Sequence, residues 1–93
     1  MSLFVVQHRH ESAACPAPTE MAPRLLHVLA AAPEHNVKVL AEAVVDGEHE
    51  LNLIVDAPSS DAVRQFMAPF AQMGTVTVRA ASPCEAVVER RAC

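Results

Sequence analysis

Val37-Lys38-Val39-Leu40-Ala41-Glu42-Ala43-Val44-Val45-Asp46-Gly47-Glu48-His49-Glu50-Leu51-Asn52-Leu53-Ile54-Val55 holds two alternating runs either side of Asp46-Gly47. Strand side chains alternate between faces, so Val37, Val39, Ala41, Ala43 and Val45 are expected on one face of the first run. His49, Leu51, Leu53 and Val55 form the apolar face of the second, with Glu50, Asn52 and Asp56 opposite. Asp-Gly supplies the positive backbone angles of a tight reversal. The stretch therefore predicts an antiparallel hairpin at the centre of the chain.

A helical pattern flanks the hairpin on each side. Upstream, Thr19 and Glu20 open a segment in which Leu25, Leu26, Val28, Leu29 and Ala32 follow helical spacing until Pro33 stops it. Downstream, Ser59 or Ser60 caps a helix whose apolar face is Val63, Phe66, Met67 and Phe70, kinked or ended by Pro69. Leu3 to His8 reads as a first strand and Thr75 to Arg79 as a last one. Ser82-Pro83-Cys84-Glu85 resembles a capping box with proline at the first helical position, predicting a short final helix to Arg91. The order β-α-β-β-α-β is the ferredoxin-like arrangement, an α+β fold with sheet order 4-1-3-2 and the helices on one face. Residues 1–80 form the domain in this reading and 81–93 a helical tail belonging to it or to a dimer interface.

The chain has 93 residues, of which 52% are hydrophobic and 3% aromatic. A single domain of this size buries only roughly 60–65% of its unfolded surface. A mean hydropathy of +0.20 is high for it, which points to a further buried surface, most simply a homodimer interface. The 11 acidic residues outnumber 7 basic ones, giving a net charge of -4, which opposes a nucleic-acid-binding role. No apolar run approaches the roughly 18 residues of a membrane span. The start, Met1-Ser2-Leu3-Phe4, lacks a basic segment and cleavage site, so a cytoplasmic location is expected. Three cysteines in a reducing compartment favour free thiols, metal ligands or redox chemistry over a disulfide framework.

Those thiols direct attention to His8-Arg9-His10-Glu11-Ser12-Ala13-Ala14-Cys15-Pro16. His8 and His10 share a strand face, and Cys15 sits on the loop beyond it. The expected sheet order brings His49 to the same edge. His8, His10, Cys15 and His49 are therefore the candidate metal ligands, with Cys84 and Cys93 in second rank because the tail leaves from the opposite end. Mixed nitrogen and sulfur donors favour copper, nickel or zinc over magnesium or calcium.

The donor position, at the end of the first strand and in the loop before the first helix, resembles heavy-metal-associated domains that carry copper. Those use Cys-x-x-Cys, where this chain has His8-x-His10-x-x-x-x-Cys15-Pro16. The chain is also similar to small bacterial ferredoxin-like proteins of the dimeric α/β-barrel type, some of which bind nickel or related metals. His8-Arg9-His10, Cys15-Pro16-Ala17, Phe66-Met67-Ala68-Pro69-Phe70-Ala71-Gln72 and Ser82-Pro83-Cys84-Glu85 carry that likeness, which implies a homodimer with two sheets face to face. Three functions are thus expected to compete. The first is transition-metal sensing, storage or transfer. The second is an enzyme acting on a small-molecule ligand between sheet and helices, with Glu42, His49 or a first-strand histidine as general base and metal-dependent redox or sulfur chemistry as one form. The third is a dimeric interaction module.

Overall fold

The computed structural model describes all residues, 1–93. Its elements are β1 (Ser2–Arg9), α1 (Met21–Ala30), β2 (Lys38–Val45), β3 (Glu50–Ala57), α2 (Ser60–Phe66), α3 (Ala68–Ala71), β4 (Thr75–Ala81) and α4 (Cys84–Arg90), with 3-10 turns at Ser12–Ala14 and Ala32–His35. The sheet is four-stranded with the order β2-β3-β1-β4, which read from its other edge is 4-1-3-2. Each neighbouring pair is antiparallel. The helices cover one side, as the ferredoxin-like reading expects.

Alternation along β1 decides which side they cover. Phe4, Val6 and His8 are buried, whereas Leu3, Val5, Gln7 and Arg9 face away. Leu51, Leu53, Val55 and Ala57 of β3 continue the covered face. Val63, Phe66, Met67 and Phe70 from α2 and α3 close over it, joined by Leu25 of α1 and by Val37. Each such side chain taken fully out of water contributes about 1.5–3 kcal/mol. The Ser59 hydroxyl caps α2 by accepting from the Ala62 N–H at 3.2 Å. Pro69 lies in the first turn of α3, so the helical segment breaks at Met67, between α2 and α3.

The first strand of the hairpin departs from simple alternation. β2 carries a bulge between Val39 and Ala41. The surplus residue, Leu40, reverses the facing of everything that follows. Glu42 now sits opposite Leu53 and Val44 opposite Leu51, on the side of the sheet that carries the helices although both remain exposed, while Ala41 and Ala43 pair across from Ile54 and Asn52 on the open side. The expected common face of Val37, Val39, Ala41, Ala43 and Val45 is thereby corrected.

Three boundaries also shift. His49 is not in the strand: it closes a turn at positions 46–49 with φ +53°, and β3 begins at Glu50. α1 ends at Ala30, ahead of the 3-10 turn that contains Pro33. Pro83, not Ser82, is the cap of α4; the Ser82 hydroxyl instead accepts a hydrogen bond from Arg90 Nη1 at 3.0 Å.

β4 pairs Thr75 with Arg9 and Ala81 with Leu3, so the tail departs from the end of the sheet opposite His8. Gly74, entering β4, lies against the β1 terminus. A Cβ there would land on the Arg9 carbonyl oxygen and 3.0 Å from His8 Nε2. Since backbone must move to admit it, Gly74→Ala should cost about 1–3 kcal/mol in urea denaturation. An unchanged midpoint would show that the β1–β4 junction yields to a methyl group without cost.

Candidate metal centre

One residue past β1, the ladder is extended by a hydrogen bond from the His10 N–H to the His49 carbonyl, 3.2 Å long. That bond sets the two imidazoles side by side, with ring centres 5.2 Å apart and planes inclined by 64°. The left-handed backbone of His49 turns its side chain toward His10; histidine is among the residues that tolerate this region. The intervening loop folds back through the turn at Ser12–Ala14, where the Cys15 N–H donates to the Ser12 carbonyl at 3.3 Å. Thr19 pins the far side of the loop, its hydroxyl donating to the Pro16 carbonyl at 2.6 Å and accepting from the Met21 N–H at 3.2 Å.

These constraints bring one donor atom from each of His10, Cys15 and His49 to within 4.8 Å of one another. A tetrahedral zinc-like ion with bonds of about 2.0–2.3 Å holds such atoms roughly 3.4–3.6 Å apart. Closure by about an ångström, within rotamer adjustment of a loop cysteine and a turn histidine, completes the fit. Both ring nitrogens of His10 are buried without a hydrogen-bond partner. An unpartnered buried polar atom costs about 1–3 kcal/mol, and a bound ion would satisfy one of the two.

His8 lies one step deeper and outside the three-donor group. It is 2% exposed and stands 5.3 Å from His10 and 5.2 Å from the edge-on ring of Phe70, centre to centre. Cys84 and Cys93 are exposed and also outside the group.

Burial holds the His8 imidazole below its ordinary 6.5, the nearby charge of His10 adds to this, and the Phe70 carbonyl opposes it. Burial and then His49 lower His10 in the same way. Both rings are thus held toward the neutral form a metal requires. The unfolded chain takes up protons near 6.5 that the folded chain refuses. The stability that these two histidines contribute to the metal-free protein is therefore fully present above about pH 6.5 and is lost as pH drops through their lowered folded values. Urea unfolding at pH 7.5 and pH 5.5 should show the lower midpoint at pH 5.5, and the reverse order would contradict these environments.

Three protein donors leave a tetrahedral ion with an open position, as in reactive rather than purely structural sites. The triad borders a cavity of about 360 Å³ walled by Leu25, Leu29, Val44 and Phe70, with His8 in its floor and Glu42 also on its lining. His10 and His49 border a second, more polar hollow with Arg9, Glu11 and Glu48. A larger hollow of about 730 Å³ near Met1 has Lys38 as its only charged residue and none of the candidate donors.

Leu25, Leu29 and Phe70 were legible as apolar helix positions, but Val44 was not, and none of them as a cavity, because alternation reports facing and not empty space. Glu42 stands level with Leu53 and, across β3, with Val6. Val6 is four residues before His10, or about 13 Å along the strand. That separation argues against Glu42 as a base acting at the triad. No protein-family model matches this chain, and no curated protein matches it.

Proposed function

We propose that the chain is a transition-metal-binding protein whose ion is held by His10, Cys15 and His49, with His8 as the packed support of His10. The observation that carries this reading is the pair of buried, unpartnered ring nitrogens of half-buried His10 beside a thiol and a second imidazole. Two nitrogens and one sulfur suit zinc, copper or nickel, and do not suit magnesium or calcium. An open fourth position fits transfer or sensing, in which the ion must be reached by another donor. The test is elemental mass spectrometry of untagged protein purified anaerobically, alongside His10→Ala, Cys15→Ser and His49→Ala. Near-stoichiometric metal in the parent and its loss in the variants is the expected result. A parent without metal that takes none up on titration would overturn the reading.

The open side of the sheet supports a homodimer of the α/β-barrel type. Leu3 and Val5 lie there with Ile54, which is 42% exposed. Sedimentation equilibrium should return twice the 10.0 kDa of one chain, and Ile54→Glu should return a monomer. A parent monomeric at high micromolar concentration would remove the dimer from the proposal.

A further inference from the structure

Glu42 is the one acidic residue on a cavity otherwise lined by apolar side chains and the histidine–cysteine cluster. Without the bulge, alternation from Val39 would carry Glu42 to the open face. The inserted residue turns it to the helix side of the sheet, opposite Leu53, where it stands exposed at the mouth of the cavity. Bulges often re-aim a side chain next to a functional site. The carboxylate thus gained has no protein counter-charge, since the ion pair of this structure joins Arg9 to Glu50. A negative charge at the rim of an apolar cavity favours an occupant that brings a positive one.

The other end of the cavity has the opposite requirement. With a divalent ion held by two neutral imidazoles and one thiolate, the centre keeps one net positive charge and an open position. A soft anionic donor answers both. Between the ends run Leu25, Leu29, Val44 and Phe70, over a span of about 13 Å along the strand direction. An extended hydrocarbon of about eight carbons, with its two end groups, covers that distance. The volume of about 360 Å³ lies at the small-molecule end of the range of ligand sites, roughly 300–1,000 Å³.

We propose that this cavity binds a small linear amphiphile with a soft, metal-coordinating head at His10–Cys15–His49, a hydrocarbon body along the apolar wall, and an ammonium group at Glu42. The proposal rests on the metal-binding reading and deepens it by naming the class of ligand. A thiol head binds as the thiolate: its proton passes to buffer as the sulfur–metal bond forms, and a metal-bound water leaves. No electrons are exchanged.

The test uses the full chain loaded with Co(II), whose absorption bands report occupancy by thiolate. Three eight-carbon thiols are titrated at pH 7.5: one ending in an amine, one in a methyl group, one in a carboxylate. The aminothiol should bind up to about fivefold tighter than the methyl-ended thiol, as an ion pair with an exposed carboxylate implies, and the carboxylate-ended thiol should bind weakest. A four-carbon aminothiol, too short to reach Glu42 from the metal, should lose the advantage. In Glu42→Gln, compared at equal cobalt occupancy, the amine preference should vanish. Equal affinities for the three thiols in a cobalt-loaded parent would overturn the ligand assignment and leave the metal centre standing, as would an amine preference that survives Glu42→Gln. A parent that binds no cobalt would overturn both.

Discussion

Cys15→Ser should weaken zinc or cobalt binding by more than about 100-fold in a chelator competition at pH 7.5. Loss of a partner that merely orients a ligand costs 10–100-fold, and here the softest donor itself is removed. A serine hydroxyl does not ionise in this range, so the variant offers two imidazoles and no anionic charge. The effect carries into folding: an ion at about 100 times its dissociation constant stabilises the native state by about 2.7 kcal/mol, which the variant should forgo. Cys84→Ser and Cys93→Ser are the controls. Both thiols are exposed and outside the donor group, so each substitution should leave affinity within a factor of two. If Cys15→Ser bound metal as tightly as the parent while a tail variant did not, the centre would have been assigned to the wrong end of the sheet.

Phe66→Ala should lower folding stability by about 3–5 kcal/mol, the range for emptying an aromatic site in a close-packed core. Phe66 is 0% exposed and is the largest side chain in the layer between α2 and the sheet. Its ring has His35 6.0 Å away on the turn before β2, so it joins helix, sheet and connecting turn. Domains of this kind are stable by about 5–15 kcal/mol in total; a loss of this size removes a large share of that and should leave the variant partly unfolded at 37 °C. Urea denaturation of the metal-free protein measures it. A loss below about 1 kcal/mol would mean that neighbours collapse into the space, which the close packing of Val63, Met67 and Val55 opposes.

The two effects differ in how far each was visible before the fold was known. Phe66 belongs to a helical spacing with Val63, Met67 and Phe70 that is readable directly, and all of these are buried. Cys15 was recognisable as a donor by residue type, yet its distance to His49 depends on a 3-10 turn and on a strand pairing across more than thirty positions. His8 shows the converse. Its place on the same strand face as His10 was readable, but the register puts it level with Leu51 and beside Phe70, outside the three-donor group.

Local pattern by itself determined the order of elements, the hairpin at Asp46-Gly47, a serine cap at Ser59 or Ser60 and the break near Pro69. Each follows from backbone preferences or side-chain period within a few residues. That one face of β1 is covered and that Ser59 is the cap came from the structure. Alternation does not reveal where a surplus residue will be accommodated, and so the common face expected for Val37, Val39, Ala41, Ala43 and Val45 fails after Leu40. Nor does it reveal a left-handed residue at a turn's end, which moved His49 out of its strand. Both depend on the pairing of β2 with β3, where one partner's register decides what the other must absorb. Only the tertiary structure placed an imidazole, a thiol and a second imidazole within 4.8 Å, because that distance is set by elements that meet only after the sheet has closed.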